Sequence, residues 1–235
     1  MQRKQVRCED CEVNCLIKLC NSEFIARAND EKNQVLYGRR QYIFSEGMPV
    51  MGMYFIQSGK VKVVSSNIHG KQQVVRLAAT GHILGHRGYG DEVYPVGALT
   101  LSDSRICFLN NAFLLEAFEA NFAFLYKLMR FYSAELRKSE LRSQYFAQMA
   151  VTEKVVFSLV YLYDTFSLQP DPERLILSRE ELASIAGTNA DQVSRTLARL
   201  KKEQFIATEG RDIVIKDIGA LRTKLADYLT GTEPI

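Results

Sequence analysis

Residues 178–205 read SREELASIAGTNADQVSRTLARLKKEQF, and this stretch decides how the C-terminal third folds. Ser178 and Glu181 have the spacing of a capping box that opens a short helix. Leu182, Ile185 and Ala186 form its apolar stripe, and Gly187 ends it. Thr188 with Asp191 is spaced to cap a second helix, whose stripe is Val193, Leu197 and Leu200. Two short helices joined by a glycine-containing turn predict a helix-turn-helix. Beyond it, FIATEGRDIVIKD (205–217) places two apolar runs around Glu209-Gly210-Arg211, the pattern of a β-hairpin wing.

In this motif the second helix enters the major groove. Asp191, Gln192, Arg195 and Arg199 lie off the apolar stripe, with Ser194 at its edge. Arg195 brings the donors that guanine O6 and N7 accept from. Arg195, Arg199, Lys201 and Lys202 fall between Ser194 and Lys202 with no acid among them. Such cations neutralise phosphates, although a helix C-terminus favours them for its dipole alone. Asp191 also suits a simple cap. Thr188 and Arg179, near the starts of the two helices, complete the candidate DNA-binding set.

Upstream, VTEKVVFSLVYLYDTF (151–166) reads as a further helix leading to a QPDP turn at 169–172. From Asn111 to about Ala150 neither proline nor glycine occurs, which predicts a long helix. Phe122, Leu125, Met129, Tyr132 and Leu136 recur in steps of three and four, continuing through Ser139 and Ser143 to Phe146. That heptad seam predicts a homodimer interface, weakened where the serines remove apolar contact, beside the alternative of a long core helix packed within one subunit. Phe124, Leu128 and Phe131 form a second stripe for a facing domain. From Gly38 to Ile106 the rhythm is that of short strands. Gly47, Gly59, Gly70 and Gly81 recur every 11 or 12 residues, and NIHGKQ supplies a hairpin turn. The fold class is therefore α+β: an antiparallel β-roll or jelly roll, a long helix and a winged helix-turn-helix. The expected divisions are 1–111, a cysteine-bearing N-terminus and β-roll; 112–150, a dimerisation helix; and 151–235, the DNA-binding part.

At 235 residues the chain has ample length for a core, and its net charge of +3 is too small to imply a partner by itself. No apolar run approaches the roughly 20 residues that span a bilayer, and the polar N-terminus lacks a secretory core. The expectation is a cytoplasmic protein with reduced thiols and no membrane partner. CEDCEVNCLIKLC (8–20) then holds four of the five cysteines, a pattern that favours metal or redox chemistry over disulfides.

The order of β-roll, long helix and winged helix-turn-helix resembles the CRP/FNR family of bacterial transcription regulators over nearly the whole chain. Asp191-Gln192-Val193-Ser194-Arg195 is similar to the E-x-x-S-R recognition motif of the FNR branch, with Asp191 in place of Glu. Ala190 stands where the cAMP-receptor branch has a base-reading Arg. The resemblance implies that Ser194 and Arg195 read bases in a palindromic double-stranded operator, with RNA polymerase as a further partner. Cyclic-nucleotide binders carry Gly-Glu-Leu and then Arg-Ser/Thr. Here Gly85-His86-Arg87-Gly88 has no carboxylate and Tyr94-Pro95-Val96 no Arg, which argues against cAMP.

His86 raises haem, against the commoner reading of a surface or hydrogen-bonded turn residue. FNR-like oxygen sensors hold a [4Fe–4S] cluster on three N-terminal cysteines and a fourth near the end of the roll. That implies Cys8, Cys11, Cys15 and Cys107, with Cys20 as the alternative to Cys15 because the spacing departs from C-x2-C-x5-C. Zinc, a thiol redox switch and plain reduced thiols stay open beside the cluster. A competing reading is a β-roll module for a nucleotide or haem whose DNA-binding part is not sequence-selective. An enzyme is not expected: there is no nucleophile–base pair, and His69, His82 and His86 show no metal spacing.

Overall fold

The structure, a computed structural model, describes residues 5–68, 70, 72–167, 174–210 and 212–228. His69, the QPDP turn at 169–172 and Arg211 lie outside them. The chain forms two compact units, the first holding Met1–Gly70 and Arg76–Leu136, the second Lys71–Val75 and Arg137–Ile235. No helix among the described residues is long and apolar enough to cross a membrane.

Eight strands make the roll: β1 (Asn33–Tyr37), β2 (Tyr42–Phe44), β3 (Gly52–Ser58), β4 (Lys60–Ser66), β5 (Gln72–Ala79), β6 (Ile83–Leu84), β7 (Gly97–Thr100) and β8 (Ser104–Asn110). They form two four-stranded sheets, ordered β1-β8-β3-β6 and β2-β7-β4-β5. The spaced glycines act as expected at the turns: Gly47, Gly59, Gly70 and Gly81 all have positive φ. The roll runs wider than the glycine rhythm, from Asn33 to Asn110, because β1 precedes Gly38 and β8 runs past Ile106 to pair with β1 and β3.

A helix with no marked signal in the sequence, α1 (Ser22–Glu31), precedes the roll, capped by the Asn21 side chain. The long helix expected over 112–150 is two. α2 (Asn111–Ala120) ends at Asn121, whose φ of −133° and ψ of 83° leave the helical region, and α3 (Phe122–Gln148) starts afresh. Asn121 explains the break. Its buried side chain donates to the Ala117 carbonyl (3.0 Å), already the acceptor of the Asn121 backbone N–H, and accepts from the Asn21 backbone N–H (2.7 Å), which ties the break to the start of α1. Phe24 and Ala28 of α1, Phe113, Leu114 and Ala117 of α2, and Phe124 and Leu128 of α3 share one core with Met53, Phe55 and Leu109 of the roll. The second apolar stripe of α3 is thus turned into its own unit.

In the second unit α4 (Val151–Phe166) is buried along most of its length. It packs on α5 (Arg179–Ala186) and α6 (Ala190–Lys202), followed by β10 (Ile206–Glu209), β11 (Asp212–Ile215) and α7 (Ile218–Thr223). A short strand, β9 (Arg174–Leu175), joins the wing hairpin in the order β10-β11-β9. The Ser178–Glu181 capping box forms in both directions, 3.1 and 2.8 Å, a device that stabilises a helix start by about 1 kcal/mol. Gly187 closes α5 at φ 62°, a conformation glycine adopts without steric cost.

Candidate nucleic-acid interface and thiol pocket

Val193, Thr196, Leu197 and Leu200 bury one side of α6. Asp191, Arg195 and Arg199, spaced i, i+4 and i+8, stand exposed in one row, with Ser194 exposed and Gln192 half-buried beside it. The cap of this helix is Asn189, not Thr188: its side chain accepts from Gln192 N–H at 3.0 Å. Asparagine is among the best N-cap residues, and the Thr188 N–H instead donates to the Ala183 carbonyl in the turn.

The Ser194 hydroxyl donates to the Ala190 carbonyl (2.8 Å). Arg199 leans on Glu203 at 3.9 Å, whereas Arg195 pairs with no acid among the described residues. An unpaired exposed guanidinium is free to present its planar fork to a base edge. Lys201 donates to Thr208 of the wing (3.2 Å), and Arg174 ties β9 to Asp212 (3.0 Å) and Glu209. Arg179 is half-buried, and its Nη1 finds no hydrogen-bond partner, so this side chain is less open than the α6 row.

In the first unit, the segment before α1 folds over the roll. Val6 N–H donates to Gln34 (3.1 Å) and Cys8 N–H to Asn29 (2.7 Å), while the Lys18 ammonium reaches the Cys11 carbonyl. The result is a hollow of about 540 Å³, counted to its open mouth, lined by Cys8, Cys11, Cys15 and Cys107. Cys107 comes from β8, where the antiparallel register sets it opposite Gln34 of β1. Cys20 lies apart from this set, buried in the core with Ile17, Phe24 and Phe113.

All five cysteines are free thiols. Burial pushes the Cys15 thiol up to about 12, with Cys8, Cys107 and Cys11 acting in the same sense. Burial also raises Cys107, opposed by its hydrogen bond from Gln34 (3.4 Å) and by the Lys32 charge. Cys20 is pushed up to about 11, again by burial. Among the described residues no three His, Cys, Asp or Glu side chains converge on a point that would hold a single metal ion. The four thiols surround a space instead. An all-sulfur donor set of this kind suits soft metals and iron–sulfur groups by its chemistry.

Sequence reasoning missed the polar residues that frame these thiols. Lys32 donates to Cys8 Sγ (3.3 Å), and Gln34 bridges Cys107 to Gln57. Nothing in NDEKNQ (29–34) marks them, because Gln34 meets Cys107 only through the β1–β8 pairing and Lys32 meets Cys8 only where the segment before α1 folds back.

His86 is not a surface residue. It follows Gly85, whose φ of 80° makes the turn, and it is 4% exposed. Its ring stands edge-on to Phe131 (4.9 Å) and Tyr132 (5.4 Å) of α3, and Nδ1 has no hydrogen-bond partner among the described residues. Burial, then the charges of Arg76 and Arg87, lower its pKa to about 2, so the ring is neutral. Tyr132 donates to the His86 carbonyl, and buried Arg76 pairs with Glu135 of the same helix. Tyr132 is therefore committed to the roll. The exposed part of the heptad seam is Phe122 (77%), Met129 (63%) and Leu136 (61%), seven residues apart, with Leu125 half-buried. Phe146 at the far end is half-buried against Phe157 of α4 (5.4 Å).

Two family models match the chain: a cyclic nucleotide-binding domain over residues 34–121 and a Crp-like helix-turn-helix domain over 153–224. The chain is 25% identical over 222 residues to the transcriptional activator protein anr of Pseudomonas aeruginosa, covering 91% of this chain and 90% of that protein. It is 22% identical to the anaerobic regulatory protein of Pasteurella multocida, covering 92% and 81% of the two chains. Among solved structures it resembles FixK2 from Bradyrhizobium japonicum, with a TM-score of 0.71, 19% identity and coverage of 82% and 96%.

Proposed function

The chain belongs to the CRP/FNR family of bacterial transcription regulators, and we propose that it binds a two-fold symmetric operator as a homodimer under control of its N-terminal thiols. The observation that carries the reading is the exposed face of α6, where Arg195 stands without an acid partner among the described residues, in a row with Asp191 and Arg199. Arg195 reads guanine, Ser194 and Gln192 contact neighbouring groups, and Arg199 with Arg179 and Thr188 holds phosphates. The exposed heptad residues Phe122, Met129 and Leu136 pair with their copies along α3, continuing past Leu125 and Tyr132 towards Phe146. Half-site centres then lie roughly 34 Å apart. Residues 1–111 sense, 112–150 dimerise and 151–235 read DNA. RNA polymerase is a further partner, a role supported by the relative named a transcriptional activator. A DNA partner makes the cytoplasm the site of action, and no residue is assigned a catalytic role.

For the signal, Cys8, Cys11, Cys15 and Cys107 would hold an iron–sulfur cluster, with zinc as the alternative. The four-cysteine lining of the hollow and the relative named an anaerobic regulatory protein favour the cluster. Such a group supplies oxygen-sensitive redox chemistry when bound. The chain's own part is to close the hollow: the segment before α1 and strand β8 meet there, and β8 leads directly into α2. A change in the thiol ligands alters how that segment packs and shifts the dimer between two states.

The test is Arg195→Ala in the full chain. Specific affinity falls by roughly 5- to 150-fold, corresponding to the roughly 1–3 kcal/mol of one bidentate base contact, while salt-dependent nonspecific binding remains. Unchanged specific affinity refutes the assignment of α6 as the base-reading helix.

A further inference from the structure

Lys32 is only 6% exposed, yet no carboxylate among the described residues pairs with it. Its ammonium faces the Val6 carbonyl (2.6 Å), the Asn29 side-chain oxygen (3.1 Å) and Cys8 Sγ (3.3 Å). As the residue that caps the C-terminus of α1, it also meets the partial negative charge of that helix end. These are dipoles, and dipoles do not fully compensate a charge withdrawn from water. The lining of the hollow has the same bias. Two lysines, Lys18 and Lys32, border it, and no Asp or Glu does. A pocket that is apolar, thiol-rich and framed by cations is matched to an anion.

We propose that the Lys32 ammonium is the fixed counter-charge for an anionic, thiolate-ligated occupant of this pocket, and that it acts as a positioning residue through Cys8. The proposal rests on the reading that Cys8, Cys11, Cys15 and Cys107 hold such a group. It separates two roles that mutation of the thiols alone merges. The thiols supply the bonds. Lys32 supplies the charge that offsets the repulsion of several thiolates gathered in one buried place, and the Cys107 side receives the neutral donor Gln34.

A buried cation without an anion destabilises the empty protein and supports the loaded one. This gives a test whose sign differs from that of a merely structural residue. The full chain is prepared without metal and then reconstituted anaerobically with ferrous iron and sulfide. The variants are Lys32→Met, Lys32→Gln and, as a control on the thiols, Cys107→Ser. The empty Lys32→Met protein melts at or above the wild-type temperature, because an unpaired buried charge has been replaced by an apolar chain of similar length. After reconstitution the order reverses: Lys32→Met and Lys32→Gln keep less iron and sulfide per chain, and a chelator strips them at roughly tenfold lower concentration. Equal retention by Lys32→Gln and wild type overturns the counter-charge, as does a Lys32→Met protein destabilised equally with and without iron and sulfide. Loss of uptake in Cys107→Ser but not in wild type supports the four-thiol reading independently of Lys32. Failure of wild type to take up iron and sulfide overturns both.

Discussion

At the scale of single residues, the helix-turn-helix was legible because its determinants are local. A capping box needs residues three apart, a turn needs one glycine, and an outward arginine needs only its place on the helix relative to Val193, Leu197 and Leu200. Thr188 and Asn189 show the limit of that logic, since either can cap and only the path of the turn selects Asn189. His86 shows it more sharply. In sequence it is a lone histidine between glycines, but the fold brings Arg76, Phe131, Tyr132 and Glu135 around that corner of the roll from positions up to 49 residues away.

Its neutral burial carries a pH signature. The unfolded histidine titrates near 6.5 and the folded one near 2, so between those values the unfolded chain binds more protons. The stabilisation is complete above about pH 6.5 and is lost as pH falls, the loss reaching about 2 kcal/mol at pH 5. Denaturant unfolding of wild type and His86→Phe across pH 7 to 5 measures it. The difference between the two changes steadily as pH drops, because only wild type loses this contribution, and parallel curves would contradict a neutral buried ring.

At the scale of elements, periodicity located the strands, α4 and the helical run that became α3, but not the break between α2 and α3. Asn121 sits in a run of good helix formers, and its function as a stop depends on a hydrogen bond to Asn21, 100 residues earlier. The seam itself divides once packing is known. Positions 122, 129 and 136 are exposed, whereas Tyr132 is taken by the His86 carbonyl and Phe146 by Phe157. That leaves a short apolar edge, followed by exposed Ser139 and Ser143 on the same line. Such an edge predicts weak self-association. Replacing both serines with leucine lowers the dimer dissociation constant by about tenfold or more, since each buried leucine contributes roughly 1.5–3 kcal/mol. Sedimentation equilibrium reads this directly, and an unchanged constant removes α3 as the dimer seam.

At the scale of the whole molecule, the proposed function rests on three groups of residues: the thiols, the cation beside them and the arginine row. The cysteines near the N-terminus, clustered in sequence, gather with Cys107 around a single hollow in the first unit. The arginine row in the second unit faces outward from α6. The cysteines were conspicuous in the sequence, but which four line the hollow depended on the β1–β8 register and on Cys20 turning into the core. The cation beside them carried no sequence signal at all. The proposed dimer calls for a symmetric site, and unbiased selection finds such a site whatever its sequence. Full-length protein, prepared anaerobically with iron and sulfide, is used to select duplexes from a random-sequence pool at physiological salt. The expected result is enrichment of a two-fold symmetric sequence with half-site centres one helical turn apart, and no enrichment by Arg195→Ala. Selection of no motif by the wild-type protein, or of the same motif by both proteins, would contradict a dimer that reads its operator through Arg195.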